Sequence, residues 1–210
     1  MVTSWDGERS KLSKYCPTGQ SDVIYVFNNK PVSLKALNEC QRQYLQGGSF
    51  SEVFSVKIGD NIFIAEKQMT FDANEISDQA FITALQIARR EVYAAKNIHN
   101  AYRAEHGNQD HPNIVSSLGS VLVTNEDRLV KLRVHYEFAE KGDLIDYFVS
   151  KANSKEEVTI QQITNIFVNA LSGLTYMHAN GIVHRDVKLD NILIITDGVH
   201  KLAGFGSVVF

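Results

Sequence analysis

Between positions 184 and 191 the chain places His184, Arg185, Asp186, Lys188, Asp190 and Asn191 in one short polar stretch. Side chains of these types can accept a proton, meet an anionic group and hold a cation. A solvated turn is the plain alternative for any such cluster of charge. The order of the residues, more than their charge, argues against it. Two brief β-branched runs bound the stretch, Ile182-Val183 before it and Ile192-Leu193-Ile194-Ile195 after it. Each reads as a buried strand.

His184-Arg185-Asp186, with Asn191 five positions after the acid, resembles the catalytic loop of the eukaryotic-type protein kinase family. Lys188, two residues after Asp186, resembles the serine/threonine branch. The resemblance implies that Asp186 accepts or orients a substrate hydroxyl proton. It implies that Lys188 offsets charge on the transferring phosphate and that Asn191 holds one Mg²⁺. The family's principal Mg²⁺ ligand is the aspartate of Asp-Phe-Gly, and this chain has Gly204-Phe205-Gly206 in its place. Glycine offers no metal ligand. The loss is expected to cost several kcal/mol, roughly a hundredfold or more in rate.

The elements that would position these groups lie upstream. Leu45-Gln46-Gly47-Gly48-Ser49-Phe50-Ser51-Glu52-Val53 can be laid on the family's Gly-rich loop. Such a loop uses glycine so that backbone N–H groups can approach phosphates. Gly48 matches the middle position, Gln46 and Ser51 replace the outer glycines, and Gly47 stands beside the expected site. On its own a flexible turn explains this stretch equally well. The resemblance adds Phe50 to the match and puts Leu45 and Val53 against adenine.

After a hairpin turn at Gly59-Asp60-Asn61, the strand Ile62-Phe63-Ile64-Ala65-Glu66-Lys67 puts Ala65 and Lys67 on one face. In the family these positions leave room for adenine and hold the α- and β-phosphates. A solvated strand lysine is the alternative. Phe81, Leu85, Ala88, Val92, Ala95 and Tyr102 recur at helical spacing and predict a long helix over 78–106. The resemblance implies a helix glutamate paired with Lys67. Glu91 is the candidate, with Glu105 as a rival.

His111-Pro112-Asn113-Ile114-Val115 matches the family's approach to the next strand. Residues 121–123 and 129–134 read as a hairpin around the polar turn 124–128. Tyr136-Glu137-Phe138-Ala139 resembles the hinge, where Glu137 and Ala139 would bind adenine and Tyr136 would stand behind it. Asp143 fits either a ribose-binding acid or a helix N-cap, and Leu193 completes the implied nucleotide set. Thr159 with Gln162 is a capping-box pattern. The stripe Ile160, Ile163, Phe167, Leu171, Leu174 and Met177 behind it reads as core, and Asn180-Gly181 ends that helix.

The 210 residues carry 44% hydrophobic and 21% charged side chains with a formal net charge of -3. That suits a globular protein and argues against broad attraction to nucleic acid or membrane. No apolar run approaches the ~20 residues of a membrane span. Cys16 and Cys40 have no metal or redox spacing and the histidines no ligand-pair spacing. With no signal-peptide pattern at the N-terminus, an intracellular, cytoplasmic setting is the default.

The expected fold is α+β and kinase-like, with a two-lobed plan. A loose segment over 4–21 and a strand from Val23 to Phe27, closed by Asn28-Asn29, make up an extension at 1–38. An N-lobe at 39–138 combines an antiparallel sheet with one long helix, and 139–210 is a partial, mainly helical C-lobe, so that the fold looks cut short. Three functions compete. One is a serine/threonine protein kinase using ATP and Mg²⁺ on a protein substrate, impaired by Gly204. The second is a pseudokinase that binds nucleotide or a protein partner. The third is a non-functional kinase fragment.

Overall fold

A computed structural model of the chain describes residues 24–27, 30–48, 51–72, 77–124 and 129–210. The segment 4–21, Cys16, Val23, the Asn28-Asn29 turn, Phe50 and the turn residues 125–128 lie outside the described residues. Two compact units result. One holds the described residues up to Tyr93 together with Ser117–Glu137, and the other holds Ala94–Ser116 and Phe138–Phe210.

In the first unit a hairpin of β1 (Ile24–Phe27) and β2 (Lys30–Ser33) leads into a short helix α1 (Leu34–Glu39). A five-stranded antiparallel sheet follows, built from β3 (Arg42–Gly48), β4 (Ser51–Gly59), β5 (Ile62–Asp72), β6 (Ser117–Thr124) and β7 (Leu129–Glu137). Its strand order is β3-β4-β5-β7-β6. The β4–β5 turn has Asn61 in the left-handed region at φ 56°, a conformation that asparagine tolerates better than most residues.

The two-residue period of β5 assigns its faces. Ile64 and Glu66 share one face, and Ala65, Lys67, Met69 and Phe71 share the other. On the first face Ile64 packs with Leu37 of α1, Val56 and Val121, all at most 2% exposed. Glu66 lies on that apolar face and needs partners. Arg42 donates to it from Nε at 3.0 Å, and His135 Nε2 lies 3.0 Å from its other oxygen. The same guanidinium reaches the Leu37 carbonyl at 2.7 Å and so fastens α1 to the sheet.

The long helix α2 (Asp78–Glu105) begins where Ser77 caps it, its Oγ accepting from the Ala80 N–H. Phe81, Leu85, Ala88, Glu91, Val92, Ala95 and Ile98 form its buried stripe. The helix residues to Tyr93 belong to the first unit, and the remainder belong to the second.

The second unit adds α3 (Leu144–Ser154), α4 (Ile160–Ala179) and the hairpin of β8 (Ile192–Thr196) with β9 (Val199–Leu202). The Thr159–Gln162 capping box is formed reciprocally at the start of α4. Two expectations are corrected here. The buried face of α4 is Ile166, Ala170, Gly173 and Met177, whereas Ile160, Phe167, Val168 and Leu171 are all more than half exposed. On the buried face a Cβ at Gly173 would stand 2.6 Å from the Asn113 carbonyl and 2.9 Å from Leu202, so that face approaches the backbone closely through its smallest residue. Nor is Ile182-Val183 a strand. A single antiparallel bridge, Val183 with Val209, takes its place.

Candidate functional site

The first unit carries one constellation. Lys67 comes from β5 and Glu91 from α2. The lysine Nζ donates to Glu91 Oε1 at 2.8 Å and to Oε2 at 2.7 Å. Glu91 is 1% exposed, while the Lys67 side chain keeps 22% of its surface open. The strand pairing that aligns Lys67 with Val134 also aligns Ala65 with Tyr136. Tyr136 thus stands on Lys67's face, and its hydroxyl donates to Glu91 Oε1 at 3.1 Å. The rival Glu105 lies in the other unit, in the last turn of α2.

On β3 and β4, Gln46 pairs with Val53 and Gly48 with Ser51, with an irregularity between Tyr44 and Gln46. Leu45 sits at that irregularity and is 44% exposed. A Cβ on Gly47 would meet the Tyr44 hydroxyl at 2.6 Å, the tip of an exposed side chain that can move aside. Val53 and Ala65 are half-buried, and Glu137 closes β7.

The second unit carries the polar loop. His184 is 1% exposed. Its Nε2 donates to the Ala203 carbonyl at 2.8 Å, and its Nδ1 accepts from the Asp186 N–H. Burial pushes its pKa below the ordinary value, so the imidazole ring itself is neutral at pH 7. Arg185 holds a left-handed backbone at φ 63°, and its Nε donates to the Ser207 carbonyl. Strain of this kind in a polar loop persists only where neighbours over-determine it.

Asp186 and Asn191 meet directly. Asn191 Nδ2 donates to the Asp186 carbonyl at 2.8 Å and to its Oδ2 at 2.9 Å. Lys188 Nζ stands 3.2 Å from the same Oδ2. The carboxylate is therefore oriented while 38% of its side chain remains open. Gly204 lies in the left-handed region at φ 81° and ψ 56°, and Phe205 after it is 1% exposed.

Asp143 caps α3, accepting from the Asp146 N–H at 3.0 Å. It also forms an isolated bridge with Leu193 of β8. Both residues are half-buried, as is Ala139.

Among the described residues no three His, Cys, Asp or Glu side chains gather as a metal site. Gly204 supplies no donor, while Asn191 turns its amide nitrogen to Asp186 and keeps its carboxamide oxygen, the atom that could meet a cation. No helix among the described residues is long and apolar enough to cross a membrane.

Sequence reasoning placed Tyr136 behind the nucleotide but missed what its hydroxyl does. It also missed the Arg42–Glu66–His135 group. A signal for that group was present, because an acid that alternates onto the same face as Ile64 needs a cation to accompany it.

The protein kinase domain profile matches residues 41–210, and the chain belongs to that family, in its eukaryotic serine/threonine-type branch. It is similar to a probable serine/threonine-protein kinase of Dictyostelium discoideum, 34% identical over 76% of this chain and 27% of the relative. It is also similar to mitogen-activated protein kinase kinase kinase 2 of Arabidopsis thaliana, at 31% identity over 86% of the chain and 25% of the relative. A third is mitogen-activated protein kinase kinase kinase 1a of Physcomitrium patens, at 32% over 78% and 18%. The chain thus spans under a third of the length of these curated relatives. Members of the family use ATP and Mg²⁺.

Proposed function

We propose that the chain binds ATP and transfers its γ-phosphoryl group to a serine or threonine hydroxyl of a protein, at a rate held down by Gly204. The observation that carries this reading is the Lys67–Glu91 pair, with the ammonium held between both oxygens of a buried carboxylate at 2.7 and 2.8 Å. A lysine so fixed, with part of its surface open, is aimed to receive phosphate oxygens. Leu45, Gly48, Val53, Ala65, Glu137, Ala139, Asp143 and Leu193 are the further residues we assign to nucleotide.

The chemistry assigned to the second unit follows from its charges. Asp186, oriented by Asn191, takes the proton of the attacking hydroxyl as the new oxygen–phosphorus bond forms and the bond to ADP breaks. Lys188 offsets charge on the phosphoryl oxygens. His184, neutral and tied to Ala203, fixes the backbone at Asp186. A metal grip reduced to Asn191 would leave much of the developing charge uncompensated.

A second reading is favoured by the glycine itself. A Cβ built on Gly204 would overlap the Asn191 carboxamide, so the loop has closed into the space of the missing side chain. A pseudokinase that binds nucleotide without transfer fits that closure. Thermal shift and phosphate transfer separate the two. Stabilisation by ATP with little Mg²⁺ dependence is expected under both. Slow transfer to a generic protein, abolished by Asp186→Asn and by Lys67→Met, supports the enzyme. Absence of any ATP-induced stabilisation would refute both.

A further inference from the structure

Glu91 has two oxygens and two close donors, which make three bonds to it. Lys67 reaches both oxygens, and the Tyr136 hydroxyl adds a third bond to Oε1 at 3.1 Å. All three residues belong to the first unit. Tyr136 is 8% exposed and Glu91 1%, so water does not readily replace the phenol as a donor. The hydroxyl is also the right species to donate. Burial, together with the adjacent Glu91 charge, holds its pKa well above the ordinary value.

The backbone makes this contact a consequence of register. Tyr136 and His135 are consecutive on β7 and point to opposite faces. His135 lies against Glu66 and Tyr136 against Glu91. Adjacent residues of one central strand thus engage two buried carboxylates, one on each face of the sheet. The Tyr136 ring is anchored in the sheet, whereas Glu91 rides on α2. A bond between them fixes the glutamate relative to β5 independently of the lysine.

We infer that Tyr136 is a positioning residue that holds Glu91, and with it α2, in register with Lys67 so that the ammonium is set before any phosphate arrives. The value of that setting for nucleotide binding rests on the function proposed above; the positioning itself does not.

The test uses the full chain and two readouts that need no nucleotide. The first is a double-mutant cycle on thermal stability. Tyr136→Phe keeps the ring and removes only the donor, and it should lower Tm by about 2–5 °C in the wild-type background. In a Glu91→Leu background the acceptor is gone and the phenol is buried without it, so the same change should leave Tm level or raise it. The second readout is the rate at which Lys67 is acylated by an amine-reactive reagent, followed by mass spectrometry, with exposed Lys57 and Lys96 as internal references. In Tyr136→Phe, Lys67 should react about tenfold faster while the references hold.

An equal fall of Tm in both backgrounds would overturn the inference, and so would Lys67 labelling that stays at the wild-type rate. Failure of the wild-type chain to gain stability from ATP would instead count against the nucleotide reading. The cycle and the labelling would still decide the role of Tyr136.

Discussion

Asn191 fills the space that a side chain at position 204 would need. A Cβ on Gly204 would overlap its carboxamide, while the amide nitrogen of that group is committed to Asp186. The glycine and the asparagine conformation are therefore one feature. Restoring a carboxylate at 204 requires Asn191 to move as well.

Gly204→Asp should consequently lower the stability of the metal-free chain. The left-handed backbone at φ 81° costs an L-residue about 1–2 kcal/mol, and shifting Asn191 adds to that. Differential scanning fluorimetry without metal should show Tm lower by several degrees. Mg²⁺ with ATP should then stabilise the variant more than the wild type. An unchanged metal-free Tm would show that Asn191 yields freely.

The Lys67–Glu91 pair should respond unequally to its two halves. Lys67→Met leaves the carboxylate of Glu91 buried with only Tyr136, which should cost about 3–5 kcal/mol. Glu91→Gln keeps an acceptor for both donors and releases a lysine whose side chain is 22% open, so the cost should be nearer 1 kcal/mol. Denaturant titration of both variants checks this. Equal losses would mean that the carboxylate finds water when the lysine is gone.

α1 should prove part of the folded first unit, although it precedes the residues matched to the family. Leu37 is fully buried against Val56, Ile64 and Val121. Leu37→Ala should cost about 2–5 kcal/mol and should raise amide exchange across β4 and β5. Exchange that rises only within α1 would show that the helix rests on the sheet without supporting it.

Acid should weaken the fold before its carboxylates titrate. Burial, with the charges of His99, His106 and Lys201 beside it, brings His111 from 6.5 down to about 4. Burial lowers His184 and His200 as well. Between these values the unfolded chain binds protons that the folded chain refuses, so stability is full above pH 6.5 and falls as pH drops towards 4. Glu66 acts in a lower window. Burial raises its pKa, but hydrogen bonds from His135 and Arg42 outweigh that and take it from 4.5 to about 2. Its contribution is lost only below pH 4.5. Tm measured from pH 7.5 to 5 should therefore decline. A flat or rising profile would mean that the histidines take up protons in place.

The polar loop was legible in the sequence because its identity lies in order and spacing, and a loop of this kind cannot rearrange its residues without losing its geometry. Asp186, Lys188 and Asn191 do come together, and their neighbours along the chain bring them there. The two-residue period of β5 put Ala65 and Lys67 on one face, and the apolar stripe of α2 gave the long helix, because local periodicity records which side of an element is buried.

Contacts between segments distant in sequence leave no such record. The period alone could not say that α4 turns Gly173 inward, because a Phe–Leu stripe and a small-residue face repeat alike. Only the packed structure shows the small-residue face against the Asn113 carbonyl. Nor could it choose Glu91 as the partner of Lys67, or give Glu66 the company of Arg42 and His135. Those depend on the register of β5 against β7 and on the rotation of α2, which the whole of the packed unit sets. The glycine at 204 was visible at once, but its fit against Asn191 was not, because only the folded loop shows which atoms fill the space a missing side chain leaves.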